Sequence, residues 1–265
     1  MIKKRIIFAL LYQDGFFFLS RNFKLQRVGN ISWLVNNFGF GVTCNYIDEL
    51  ICLLVKKNPT KKDKEIFFLD IAQLRKKIFV PITLGGGIRT VEDASMCFLN
   101  GADKILLNTS VFDSALMKNI SDIYGEQAIS IMIDYLRSEE NEDDKIYIKG
   151  GSEYKIKLSS FFENYYNNIP CGEIILNSIE DDGTGNGLDF RIINKIPANI
   201  KNKSLLLMGG AGKAEHIFQG LKYKDISGIV TANLFNFLGT GLEISRKKSL
   251  DNKISLANFD TEIKI

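Results

Sequence analysis

Pro81-Ile82-Thr83-Leu84-Gly85-Gly86-Gly87-Ile88-Arg89 is the stretch that decides how this chain folds. A short aliphatic run that ends in consecutive glycines reads as a buried strand delivering the backbone to a turn, where free N–H groups can face an anion. The device returns as Ser204-Leu205-Leu206-Leu207-Met208-Gly209-Gly210-Ala211-Gly212, and Gly85 and Gly209 stand 124 residues apart. Asn108-Thr109 and Ala232-Asn233, each closing the next aliphatic run, are separated by the same 124 residues. Two landmarks in one register imply a chain assembled from two similar halves.

Working outward, eight β-branched or aliphatic runs alternate with longer mixed segments: Arg5 to Leu10, Glu49 to Leu54, Phe79 to Leu84, Asp103 to Asn108, Ala128 to Asp134, Glu173 to Ser178, Ser204 to Met208 and Ile226 to Thr231. Parallel strands joined by helices give this rhythm. Eight of them predict an α/β chain closed into a (β/α)8 TIM barrel, one domain over 1–265 with half-barrels at about 1–122 and 123–250. Outside the repeat, Lys56 to Lys64 reads as a mobile rim loop, Ser138 to Lys157 as an inserted polar hairpin, and Asn252 to Ile265 as a frayed C-terminal segment. Trp33 and Phe16-Phe17-Phe18 read as strand or hairpin packing, and His216 as a helix surface or packing residue.

Composition narrows the class. An apolar fraction of 45% and a charged fraction of 25% are those of an ordinary globule, and a net charge of +3 without a basic stripe argues against a nucleic-acid partner. Four cysteines without C-x-x-C spacing and a single histidine suggest neither a metal site nor a disulfide framework, which points to reduced thiols in the cytoplasm. No apolar run approaches the ~18 residues of a membrane helix, and the apolar stretch after Lys3-Lys4-Arg5 is too short for a leader.

The glycine turns define two candidate phosphate sites, Gly86 and Gly87 with Asn108 and Thr109, and Gly209 and Gly210 with Ala232 and Asn233. Two sites related by the repeat imply a ligand with a phosphate at each end. Asp182-Gly183-Thr184, after the sixth run, offers a carboxylate and a hydroxyl for phosphate or ribosyl oxygens, and the same spacing fits an ordinary Asx turn. Asp134 ends an apolar run at the barrel mouth, where partial desolvation would raise its pKa to a useful value, and it is the candidate acid/base. At the other end of the strands, Arg5, Glu49, Lys104 and Glu173 open the first, second, fourth and sixth runs. Two cations and two anions at one height of a closed barrel are expected to pair across its bottom.

Lys4-Arg5-Ile6-Ile7, Asp14-Gly15, Asp48-Glu49-Leu50, Gly85-Gly86-Gly87-Ile88, Gly101-Ala102-Asp103-Lys104, Gly172-Glu173-Ile174, Asp182-Gly183-Thr184 and Gly209-Gly210-Ala211-Gly212 stand in the order and near the spacing of one family. The chain resembles the cyclase subunit of imidazole glycerol phosphate synthase, the HisF family, over essentially its whole length. The related HisA isomerases share the glycine sites but not the Lys-Arg-Ile-Ile opening or the charged quartet. The resemblance implies that the barrel bottom docks a HisH-like glutaminase subunit, with Asp103 at the interface. It also implies that ammonia passes through the barrel behind a gate at Arg5, Glu49, Lys104 and Glu173. At the top it implies a bisphosphorylated nucleotide, no cofactor, and two aspartates serving as acid and base. Asp134 matches one aspartate. The other falls on Leu11, the family's substrate-contacting lysine falls on Leu19, and the aspartate closing the second strand falls on Leu54.

Leucine neither donates nor accepts a proton, and loss of one member of an acid/base pair removes ~10²- to 10⁴-fold in rate. The departures gather at one rim while the bottom quartet is intact. The expectation is a paralogue that keeps glutaminase docking and ammonia transfer with the cyclase step altered or lost, serving a separate amidating enzyme. A working cyclase would need a replacement acid near Leu11, where Tyr12 and Asp14 are the nearby candidates. A HisA-type sugar phosphate isomerase is a third reading.

Overall fold

The computed structural model describes residues 3–37, 44–139, 142–197, 203–233 and 240–257. In chain order, strand β1 (Arg5–Gln13) leads into a hairpin, β2 (Phe16–Arg21) and β3 (Lys24–Gly29), and helix α1 (Ile31–Asn37). There follow β4 (Glu49–Leu54), α2 (Lys61–Arg75), β5 (Ile82–Gly85), α3 (Val91–Leu99), β6 (Lys104–Leu107), α4 (Ser114–Tyr124) and β7 (Ile129–Leu136). A second hairpin, β8 (Lys145–Ile148) and β9 (Glu153–Lys157), precedes α5 (Leu158–Asn164), β10 (Glu173–Ser178), α6 (Arg191–Lys195), β11 (Ser204–Met208), α7 (Ala214–Lys222), β12 (Gly228–Thr231) and α8 (Gly241–Asp251).

Strands β1, β4, β5, β6, β7, β10, β11 and β12 pair in parallel in that order, and β12 returns to pair with β1. The sheet is therefore a closed eight-stranded barrel with helices outside it, as the sequence predicts. Side chains alternate across each strand. Ile7 and Ala9 of β1 join Ile51, Leu106, Met132, Ile175, Leu206, Met208 and Val230 in an apolar cluster inside the barrel. Ile6, Phe8, Leu10 and Tyr12 of the same strand pack outward in the larger core under the helices.

Several boundaries move. The third run begins at Ile82 rather than Phe79, and Phe79 is left 94% exposed before the strand. The loop expected over Lys56 to Lys64 is helical from Lys61, because Thr60 and Asp63 form a capping box that satisfies the first free N–H groups of α2. Trp33 lies on helix α1, not on a strand, with its ring over Gly29. Phe17 does pack in the first hairpin, edge-on to Tyr12. Part of the segment expected to fray is docked: Leu256 is buried and forms a parallel bridge with Lys4, and the Lys4 N–H donates to Ser255 O at 2.6 Å. Residues 258–265 lie outside the described residues. The polar insertion at Ser138 to Lys157 contains the expected hairpin, β8 and β9.

The half-barrel repeat is visible in the backbone. Gly86 and Gly210, 124 residues apart, have φ of +93° and +90°, and a Cβ at either would meet a backbone carbonyl oxygen, Leu54 O at the end of β4 at 2.0 Å or Gly187 O in the loop after β10 at 1.9 Å. Only glycine fits such a place, where a left-handed turn coincides with a backbone approach.

Candidate functional site at the two ends of the barrel

The inward positions can be followed from bottom to top along each strand: Arg5, Ile7, Ala9 and Leu11 on β1; Ser130, Met132 and Asp134 on β7; Glu173, Ile175 and Asn177 on β10. The first of each set lies at the bottom and the last at the mouth. Between them the wall is apolar.

At the bottom, the four charged residues come together as a ring. Arg5 Nη1 reaches Glu49 Oε2 at 3.0 Å and its other terminal nitrogen binds Glu173, while Lys104 Nζ bridges Glu49 Oε2 at 2.8 Å and Glu173 Oε1 at 3.2 Å. The remaining lone pairs are filled by hydroxyls: Thr83 donates to Glu49 Oε1 at 2.6 Å and Ser130 to Glu173 Oε1 at 2.9 Å. Arg5 also donates to Ser204 Oγ at 2.9 Å. Burial pushes the Glu173 carboxyl upward, but Lys104 and Arg5 outweigh it and hold the group below its usual range. Buried carboxylates are tolerated on these terms, with paired charge and satisfied lone pairs. Thr83, Ser130 and Ser204 were not singled out by the charges at the strand starts; the signal for them was their place as the first inward residue of β5, β7 and β11.

Asp103 lies just outside the ring, exposed, and accepts the Ile82 N–H at 2.8 Å. Three large apolar side chains are exposed at the same end: Phe79 ahead of β5, Leu99 at the close of α3 and Ile123 near the close of α4, at 94%, 80% and 60%.

At the top, the strand ends open on a cavity of about 970 Å³. Asp134 lies in its wall, only 4% exposed. Its carboxylate accepts from Asn177 Nδ2 at 2.8 Å and Asn108 Nδ2 at 3.0 Å, and no cation reaches it among the described residues. Burial, opposed by the Asn177 hydrogen bond and assisted by the charge of Asp182, raises its pKa to about 7. A carboxyl in that state can both give and take a proton near neutral pH. Asn177 was missed by the sequence reading; the signal was an amide inside an apolar run with the same parity as Glu173.

The wall shared by β1 and β4 is apolar where acids were sought. Leu11, Leu53 and Leu54 line the cavity, and Leu19 packs against the core beneath the helices. Neither proposed replacement acid faces the cavity. Tyr12 points outward, where its hydroxyl donates to Asp70 of α2 and burial raises its pKa far above the usual phenol value. Asp14 occupies a left-handed turn position with φ of +51° and pairs with Lys56 at 2.6 Å.

The first glycine turn opens on this cavity: Gly86, Gly87, Asn108 and Thr109 all line it, together with Arg89. Thr109 Oγ1 accepts the N–H of Lys149 at the tip of the second hairpin, at 3.1 Å. Gly209, Gly210, Ala232 and Asn233 lie outside the lining. There the Gly210 carbonyl accepts from Gly187 N–H at 2.9 Å, and Gly212 N–H donates to His216 Nδ1 at 3.3 Å. Thus His216 serves the turn before α7. Asp182 lines the cavity as well, but its carboxylate accepts from the Ser20 hydroxyl and from Phe23 N–H at 3.0 Å, which pins the first hairpin across the mouth. Thr184 Oγ1 donates to Asp181 O at 2.8 Å, the local bond of a turn, and Gly183 sits against Ser20 O. Among the described residues no group of three or more His, Cys, Asp or Glu is placed to hold a metal ion, and no helix is long and apolar enough to cross a membrane.

Comparison with known proteins agrees with this architecture. A family profile described as "Histidine biosynthesis protein" matches residues 48–239. A protein of Parasynechococcus marenigrum, provisionally named imidazole glycerol phosphate synthase subunit hisF2, is 42% identical over 98% of this chain and 95% of its own length. Imidazole glycerol phosphate synthase subunits HisF of Leptospira biflexa and Pelodictyon phaeoclathratiforme are 32% and 31% identical, over 73% and 89% of this chain and 75% and 92% of their own. On the profile, these likenesses and the closed barrel together, the chain belongs to the histidine-biosynthesis protein family and, within it, to the HisF group.

Proposed function

We propose that this chain is a HisF-type synthase subunit that takes ammonia from a docked glutaminase through the barrel, and that its mouth no longer runs the standard cyclase step. The observation that carries the reading is the contrast along the barrel axis. The ring at the bottom keeps every partner it needs, while the mouth retains Asp134 and replaces the second carboxylate with Leu11. Exposed Phe79, Leu99 and Ile123 support docking at the bottom, since apolar side chains gathered at one end favour association. Asp103, beside the ring, belongs to that interface. The apolar wall between the ends suits a small neutral molecule and disfavours ions.

In the mouth, Gly86, Gly87, Asn108 and Thr109 hold a phosphate of the ligand, with Arg89 supplying positive charge. Gly209, Gly210, Ala232 and Asn233, outside the cavity lining, are by the repeat the corresponding site for a second phosphate, with Asp182 in the cavity wall and Gly183 and Thr184 in the turn that follows it. Asp134 acts as the acid/base. On this reading the nitrogen is passed to a product other than the imidazole ring, through a separate amidating enzyme.

The test is to combine the purified chain with a HisH-type glutaminase and follow glutamine hydrolysis and nucleotide consumption together. Stimulated hydrolysis without turnover of the bisphosphorylated nucleotide is expected; ordinary cyclisation would end the proposal. A working cyclase is the second reading, and the presence of Asp182 in the cavity wall favours it, because a second carboxylate is then available near Asp134.

A further inference from the structure

Asn177 is buried, 3% exposed, and faces into the barrel two residues above Ile175 and four above Glu173. Along β10 it is the first hydrogen-bonding side chain above the apolar wall. Its Nδ2 is committed to Asp134, but its Oδ1 is buried and has no hydrogen-bond partner among the described residues. A buried carbonyl oxygen left bare is costly, and a leucine of similar size would fill the space without that cost, so packing does not account for an asparagine here.

We propose that Asn177 is the positioning residue for the incoming nitrogen compound: its side-chain amide donates one hydrogen bond that holds Asp134 in place, and its bare carbonyl oxygen accepts an N–H from ammonia as ammonia leaves the apolar passage. This deepens the function proposed above and rests on its ammonia reading. Ammonia carries three N–H donors and one lone pair. Bound through an N–H to a carbonyl acceptor, it keeps its lone pair unprotonated and uncommitted, so it remains neutral ammonia beside Asp134 until it is handed on. Met132 and Met208, which line the same wall, are unbranched and adjust to admit a molecule of this size. Asn177 Nδ2 also donates to the Met132 sulfur at 3.9 Å, so the amide nitrogen is shared between Asp134 and Met132 and the carbonyl oxygen is the group left unused.

The experiment uses the whole chain alone, with the side-chain amide of Asn177 and the carboxyl carbon of Asp134 followed by NMR during titration with ammonia at alkaline pH. A saturable shift of both signals is expected in the unaltered chain, a measurement that needs no variant. In Asn177→Leu the Asp134 signal should respond about tenfold more weakly, the loss of one hydrogen bond, and its titration midpoint should rise because a stabilising donor is gone. Asn177→Thr, which keeps a hydroxyl acceptor, should recover part of the response. An unsaturable shift in the unaltered chain, or an Asp134 response in Asn177→Leu equal to the original, overturns the proposal. Ammonia is supplied from bulk solution, so the outcome does not depend on conduction through the barrel. Failure of glutamine-coupled delivery would remove the ammonia reading while leaving a positive titration standing; a negative titration beside successful delivery would remove this role alone.

Discussion

Glu173 at the bottom of the barrel and Asp134 at its mouth are about equally hidden, 5% and 4% exposed, and both sit on inward positions of neighbouring strands. Their chemistry diverges because of what surrounds them. Glu173 has Lys104, Arg5 and the Ser130 hydroxyl, and it stays ionised below the usual range. Asp134 has two neutral amides and the charge of Asp182 nearby, and it is drawn up to about 7. Burial alone therefore does not decide whether a carboxylate is structural or reactive; the sign and count of its partners do.

The largest expected effect comes from returning an acid to the wall opposite in role to Asp134. Leu11→Asp should raise cyclisation of the bisphosphorylated nucleotide by about 10²-fold, the lower bound for a restored acid/base partner, measured with a glutaminase or with ammonium salts as the nitrogen source. No change in turnover would show that Leu11 is not what separates this mouth from a cyclase. Next is the ring. Glu173→Leu leaves Arg5 and Lys104 to share Glu49, and urea unfolding should show a loss of about 3 kcal/mol, the cost of stranding a buried charge; a loss under 1 kcal/mol would mean that the ring is open to water and carries little stability.

The third test separates the two ends by pH. Asp134 binds its proton more tightly folded than unfolded, so folding is favoured below the unfolded value of about 4 and that advantage is lost as pH rises through about 7. The loss should be on the order of 2 kcal/mol after allowance for relaxation of the buried site. Glu173, whose folded pKa is lowered, acts in the opposite sense: its contribution is present above about 4 and disappears as pH falls through the folded value. Asp134→Asn should flatten the stability curve between pH 4 and 7 and leave the acid limb unchanged. A curve of unaltered shape would refute the assignment. The smallest effect lies at the rim: Thr60→Ala removes the cap of α2 and should cost about 1 kcal/mol while leaving the Asp134 titration where it was, which would show that the mouth's chemistry is set by its own amides and not by the loop above it.

The barrel was legible because strand and helix lengths, glycine turns and the 124-residue offset are all local signals that the closed sheet then satisfies together. Arg5, Glu49, Lys104 and Glu173 were readable for the same reason: a charge before an apolar run declares itself. Their hydroxyl partners Thr83, Ser130 and Ser204 did not, since a serine or threonine gains its meaning only from the strand beside it. Asn177 required parity along β10 to be counted from Glu173. For Asp182 the local spacing left a ligand role and a turn role open, and it could not show that Ser20 and Phe23, from a hairpin about 160 residues earlier, would be hydrogen-bond partners of its carboxylate. Tyr12 and Asp14 were near Leu11 in sequence, but alternation turns Tyr12 to the outer face and a left-handed turn takes Asp14 away.

The tips of the two hairpins touch. A side chain at Gly151 would meet the ring of Phe23 at 2.6 Å, and Phe23 in turn hangs from Asp182 on the far side of the opening. The two ribbons thus brace each other at the rim, so a side chain added at Gly151 or a carboxylate lost at Asp182 would be felt in both hairpins and not in one alone.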